Sequence, residues 1–302
     1  MSPSDAAGAD APDAAEAAAS RSTRTATGTG NTFLGDVCVN AKRWTRKAVH
    51  SPTAFLLEIV VATLSLVLFT AVFGDVGGAA IERAGFAEVD YVTYLFPAVL
   101  MQATMGSAFS SGMGLVSDLE SGMFEKTVVT PMSWTAVFAG KAVAELARVV
   151  VQVLVVVGLA VVLGARVETG AVGVAGVLAV CLLVALLFMA VSNVVGLLAR
   201  DDEVVNAASM LFMFPLLFLS PAFVPLSDDI EFVATFNPIT YGVDAVRALV
   251  LGRDVSTVLS VSRFGGVADT LVPAVVVLSV LNLVAGAVAV GLLARASSAE
   301  AA

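Results

Sequence analysis

Side chains able to do chemistry are few in this chain, and their spacing excludes most reactions they could serve. His50 is the single histidine, so a multi-histidine metal site is ruled out. No HExxH occurs, and no Ser/His/Asp grouping can form around a histidine that precedes the first apolar run. No G-x-x-x-x-G-K followed by Ser or Thr is present, so the chain lacks the loop that cradles nucleotide phosphates. Cys38 and Cys181 lie far apart and read as apolar fillers, not as a disulfide. Glu58, Glu145 and Arg148 remain, three ionisable residues inside apolar runs, where a charge is expensive and marks function by default. All three fall near the predicted cytoplasmic ends of their runs, where long side chains reach the interface. Glu145 and Arg148 share a helix face and can neutralise one another. No carboxylate or Arg stands near the middle of a run, which argues against a proton-coupled or ion-coupled carrier.

The elements that must position these groups are six apolar runs, at about 54–74, 92–114, 142–163, 172–198, 204–224 and 271–293. A hydrocarbon core of about 30 Å needs roughly 20 helical residues to cross it. Irregular backbone exposed to lipid is not tolerated, so the runs must be helices. The expected fold is an all-α integral membrane protein with six transmembrane helices over 54–296. With 302 residues, 58% of them hydrophobic, no large soluble domain fits; the longest polar stretches are 1–53, 115–141 and 225–270. The net charge of −9 argues against a nucleic-acid partner and would suit a high-salt cytoplasm. Residues 1–32, rich in Ala, Ser, Thr and Gly, read as a disordered cytoplasmic tail. They lack the basic-then-apolar order of a cleaved signal, so the first span is expected to be retained.

Orientation follows from flanking charge. Lys42, Arg43, Arg46 and Lys47 precede the first span, whereas 75–90 carries Asp75, Glu82, Glu88 and Asp90 against Arg83. The positive-inside rule puts the N-terminus in the cytoplasm, and six spans return the tail 297–302 there. Residues 33–53, with Trp44 among the basic side chains, read as an interfacial helix on the cytoplasmic surface, in contact with membrane lipid.

Two connections stand out. Ser117-Asp118-Leu119-Glu120 has the S-x-x-E form of an N-terminal capping box. It leads through Gly122 to Thr130-Pro131, where the helix must end. The resulting bracket has a charged side (Glu120, Glu125, Lys126) and an apolar side (Met123, Phe124, Val128). It either docks in a groove of a soluble partner or is an ordinary solvated loop. Further on, Asn237 before Pro238 is a strong helix start. Ile239, Val243, Val246 and Val250 then recur at helical spacing, and Gly252 stops the helix. The 14 residues from Pro238 to Leu251 make about 21 Å of helix, too short to cross. This segment should lie in the outer interface or dip part-way and return. Asp244 and Arg247 on it either pair or stand as surface groups. In the second span, Gly106, Ser110 and Gly114 recur at four-residue steps and permit close helix approach. Met101 and Met105 beside them, with Met210 and Met213 in the fifth span, either line a pliable route for apolar cargo or are plain packing. Pro215 and Pro221 predict a kink in the fifth span.

The stretch Asp118-Leu119-Glu120-Ser121-Gly122-Met123-Phe124-Glu125-Lys126, through Thr130-Pro131 to Gly140-Lys141, resembles a signature of type-2 ATP-binding cassette (ABC) exporter permeases. Ser220-Pro221-Ala222-Phe223-Val224-Pro225 and Asn237 through Arg247 fit the same pattern. The similarity spans about 33–296 and is greatest to the daunorubicin-resistance-like multidrug branch; polysaccharide export permeases share the plan. Such permeases sit in the cell membrane as pairs, homodimers in the simplest case, and bind two copies of a separate ATPase subunit. ATP and Mg then belong to that partner, with no cofactor in this chain. The resemblance makes 118–131 the ATPase-coupling element, 40–50 the interface helix, and 237–251, including Tyr241, an outer re-entrant helix. Met123 departs from the small polar residue expected at its position. The function implied is export of an amphipathic drug, lipid or glycolipid-like molecule, the permease itself being no enzyme. The alternative is an ATPase-independent carrier or a structural membrane-assembly subunit.

Overall fold

The computed structural model describes residues 33–50, 52–83, 85–86, 88–121, 134–223, 228–259 and 263–300. The described residues form nine helices and no strand: α1 (Phe33–His50), α2 (Pro52–Arg83), α3 (Tyr91–Glu120), α4 (Trp134–Val162), α5 (Gly170–Ala199), α6 (Asp202–Phe218), α7 (Asp228–Thr235), α8 (Pro238–Leu251) and α9 (Val267–Glu300). Five of them, α2, α3, α4, α5 and α9, contain stretches long and apolar enough to cross a membrane. The chain is an all-helical integral membrane protein.

The fifth predicted run, 204–224, is only partly helical. α6 has 17 residues, about 25 Å of helix, and stops at Phe218 where the apolar run continues to 224. Side chains take the carbonyls that a further turn would need. Asn237 Nδ2 donates to the Leu216 and Leu219 carbonyls at 2.6 and 3.1 Å, and Ser220 Oγ to that of Leu217 at 2.7 Å. The start of α6 is set by Asp201, whose side chain accepts from the Glu203 and Val204 amides.

Two helices run past their predicted ends. α2 continues to Arg83, so Asp75 and Glu82 ride on helix and not on a loop. α3 continues to Glu120, which corrects the capping-box reading: Ser117–Glu120 is the last turn of a helix, where the Ser121 amide donates to the Ser117 carbonyl at 3.1 Å. Asp118, inside the supposed box, faces basic groups on α1 instead.

α3 is the central post. It packs against α2, α4, α5, α6 and α8, and 83% of its most apolar window is buried, against 11% for α2 and 6% for α9. The outward sides of α2 and α9 are nonetheless apolar, with Leu64, Leu68, Val280 and Leu283 all exposed. Apolar surface on that scale belongs against lipid or another helix, not water.

α3 and α5 cross closely, and the crossing uses other small residues than the sequence suggested. A Cβ on Gly112 would collide with the Ser192 carbonyl, and one on Gly196 would lie 3.0 Å from the Gly112 carbonyl. Ser192 Oγ accepts from the Gly112 amide at 3.0 Å and donates to the Phe109 carbonyl at 2.6 Å. Gly106, by contrast, faces open space, and Gly114 faces the Trp44 ring.

Candidate functional site

Three polar clusters interrupt the apolar bundle along α3. The first joins α1 to the end of α3. Gly140 on α4 seats α1, because a Cβ there would come within 2.5 Å of Asn40 Cβ and 2.7 Å of the Val37 carbonyl. Asp118 accepts from Arg43 at 2.9 Å and from Lys47 at 2.8 Å. The Trp44 ring lies beside Lys47, Lys141 and Arg43, at 4.9, 5.1 and 5.5 Å from its centroid. Lys42 and Arg46 are exposed. Lys141 is the residue that sequence reasoning undervalued. Its ammonium is buried and donates to the Ser111 carbonyl (2.5 Å), Asn193 Oδ1 (2.8 Å) and Ser111 Oγ (3.0 Å), with Glu145 at 3.6 Å. Its signals in the sequence were its place at the mouth of an apolar run and the Gly140-Lys141 pair that ends the permease-like stretch. Glu120 is exposed at the tip of α3. Gly122, Met123, Phe124, Glu125, Lys126, Thr130 and Pro131 lie outside the described residues.

A second cluster sits deeper. Arg148 on α4 donates to Glu58 on α2 at 3.1 Å and to Ser107 Oγ on α3 at 3.0 Å, with Ser110 Oγ also a partner. This corrects the expected Glu145–Arg148 neutralisation. Arg148 reaches across helices to Glu58, while Glu145 lies by Lys141, one turn earlier on its own helix. Ser110 is thus a polar partner and not only a small residue at a packing face. The methionines divide. Met101 and Met105 are fully buried in the core, Met210 is exposed, and Met213 borders a cleft with Gly106.

The third cluster holds α8. Asn237 caps it, accepting from the Ile239 amide at 2.9 Å, Pro238 begins it, and Gly252 ends it at φ 66°, a left-handed conformation suited to glycine. Residues 239–250 are all buried, so α8 is packed into the bundle and is not a surface helix. The surface-group reading of its charges is overturned: Asp244 and Arg247 are 3% and 2% exposed and lie 3.9 Å apart. Arg247 donates to the Pro221 and Ala222 carbonyls at 2.8 and 3.2 Å, and its guanidinium lies 3.8 Å from the Tyr94 ring centroid. Asp244 accepts from the Thr257 amide and hydroxyl at 2.8 and 2.9 Å. Burial pushes the Asp244 carboxyl up to about 6, against the lowering pull of Arg247 and Thr257. Tyr241 donates to the Thr235 carbonyl at 2.7 Å.

A family model described as ABC-2 type transporter matches residues 36–251, from α1 through the end of α8. The chain belongs to the ABC-2 type transporter family. A relative of this permease, the "Daunorubicin resistance ABC transporter permease protein DrrB1" of Streptomyces coeruleorubidus, is 27% identical over 220 residues, covering 70% of this chain and 75% of its own. The first two clusters of the ABC-2 permease fall within the matched range, as does the third apart from Gly252 and Thr257.

These clusters tie helices together. Asp118 and Lys141 fasten the end of α3 to α1 and α4, and Arg247 fastens α8 to the 220–223 turn and to α3.

Proposed function

We propose that this permease is the membrane subunit of an ATP-driven exporter that moves an amphipathic drug, lipid or glycolipid-like molecule out of the cytoplasm or inner leaflet. ATP and Mg bind to a separate ATPase chain, in two copies, acting on a pair of permeases in the cell membrane. Six crossings, with α6 as a short one, leave both chain ends in the cytoplasm. The coupling contact is the segment 118–131, α1 lies along the inner surface, and α8 is the outer re-entrant helix. The cargo passes near Gly106, Ser110, Met210 and Met213.

One observation carries the reading. The family match over 36–251 includes the Asp118–Arg43–Lys47 cluster, which ties α1 to the base from which 122–133 departs. An ATPase pressing on that segment would move α1, α3 and α4 together and load the Arg247 clamp at the far end.

The test is co-purification of the permease with its companion ATPase, followed by ATP-dependent export in proteoliposomes. Gly122→Val, or charge reversal of Glu125 together with Lys126, should reduce ATP-driven export at least tenfold while membrane insertion is unchanged. Undiminished export in those variants would remove the coupling assignment. Solute movement by the permease alone down an ion gradient would favour the ATPase-independent carrier.

A further inference from the structure

A largely polar cleft of about 640 Å³ opens at the end of α3 opposite the Asp118 cluster. Its charged lining comes from three connections. Glu88 and Asp90 precede α3, Arg166 and Glu168 stand between α4 and α5, and Arg253 follows α8. Backbone bonds hold these connections together. The Glu168 amide donates to the Val250 carbonyl at 2.8 Å and the Arg166 amide to Thr93 Oγ1 at 3.4 Å, which ties the α4–α5 turn to both α8 and α3. The Arg253 guanidinium lies 5.0 Å from the Phe86 ring centroid, beside the turn that carries Glu88.

The five charged side chains do not neutralise one another. All are exposed, and among the described residues none of them is in an ion pair. Three carboxylates and two guanidiniums suit neither a simple anion nor a simple cation, because either would lie against like charges. A ligand carrying both signs fits. Guanidiniums pair with phosphate through forked N–H groups, and carboxylates accept hydrogens from an ammonium. The surroundings call for an apolar part as well. The turn bearing Arg166 and Glu168 joins two membrane-crossing helices, and Val162 and Val172 on either side of it are exposed. The ends of such helices stand at the level of lipid headgroups.

We propose that this cleft binds the zwitterionic headgroup of a phospholipid of the phosphatidylethanolamine type. The phosphate lies toward Arg166 and Arg253 and the ammonium toward Glu88, Asp90 and Glu168. The acyl chains run along α4 and α5 past Val162 and Val172. A volume of about 640 Å³ falls within the roughly 300–1,000 Å³ of small-molecule sites, so the headgroup and its glycerol can enter together.

The full-length protein in detergent micelles is mixed with equal amounts of dioleoyl phosphatidylethanolamine and dioleoyl phosphatidylglycerol, and bound lipid is counted by native mass spectrometry. Phosphatidylglycerol keeps the phosphate and lacks the ammonium. Phosphatidylethanolamine should be retained about fivefold over it, the upper worth of an exposed ion pair. Arg166→Gln and Glu168→Gln alter exposed side chains, so the melting temperature should hold while each cuts that retention roughly threefold. Equal retention of the two lipids, or retention unchanged in either variant, overturns the site. Glycerophosphoethanolamine, the same headgroup without chains, should displace the lipid only in large excess; displacement at equimolar amounts overturns a lipid as the occupant. Headgroup binding does not rest on the export reading: ATP-driven export that fails while the lipid preference persists supports the site and overturns export alone.

Discussion

Lys141 and Asp244 sit in environments far from what their types prefer, and each gives a measurable consequence. Lys141 is 3% exposed and meets its needs with the Ser111 carbonyl and Asn193. Lys141→Met keeps the stem but strips the donors from both acceptors, a loss of about 1–3 kcal/mol. A fall in melting temperature in detergent would read it; an unchanged transition would mean that the lysine is not bearing this contact. Asp244 has the opposite sense to an ordinary paired carboxylate. Its folded value of about 6 lies above the ordinary 3.8, so the folded protein holds a proton that the unfolded chain gives up. The stability this proton supplies is complete below about 4 and lost as pH rises through 6, a swing on the order of 3 kcal/mol. Melting curves between pH 4 and 8 should show that loss. Asp244→Asn, which keeps one acceptor for Thr257, should flatten the profile.

At the scale of elements, the crossing of α3 and α5 and the seating of α1 depend on missing side chains more than on attractive ones. Gly112 and Gly196 let two backbones approach, and the Ser192 hydroxyl bonds across the gap. A methyl at Gly112 has backbone as its neighbour, and backbone cannot swing away. Gly112→Ala should therefore destabilise by about 1–3 kcal/mol, while Gly106→Ala, facing open space, should change the melting temperature little. If both variants melt alike, the crossing is looser than its geometry. The cap of α8 works in the same economical way: Asn237 starts one helix through its oxygen and ends another through its nitrogen.

For the whole molecule, the exposed apolar sides of α2, α6 and α9 decide what surrounds it. Leu64, Phe214 and Leu283 are 59%, 48% and 74% exposed, and water would not tolerate such faces over the length of a span. Lipid or another apolar helix surface suits them. Topology is checked with the exposed Cys38 replaced by Ser, leaving buried Cys181 as the sole native thiol. In that background Asp229→Cys should react with an impermeant thiol reagent added outside intact cells. Labelling only after the membrane is opened would invert the map.

Hydrophobic run length alone determined that the chain is helical and membrane-embedded, because lipid admits few other backbones. The extent of α8 was equally legible, since Asn237, Pro238 and Gly252 are local signals that act within one turn. The candidate site was not. Arg148 finds Glu58 across 90 residues, Lys141 finds Asn193 across 52, and Arg247 finds the Pro221 carbonyl across 26. Nothing in periodicity or spacing says which helix will be the neighbour. Only the packing of α3 among the others brought these partners within bonding distance, turned Ser117–Glu120 from a supposed start into an end, and buried charges that looked like surface groups.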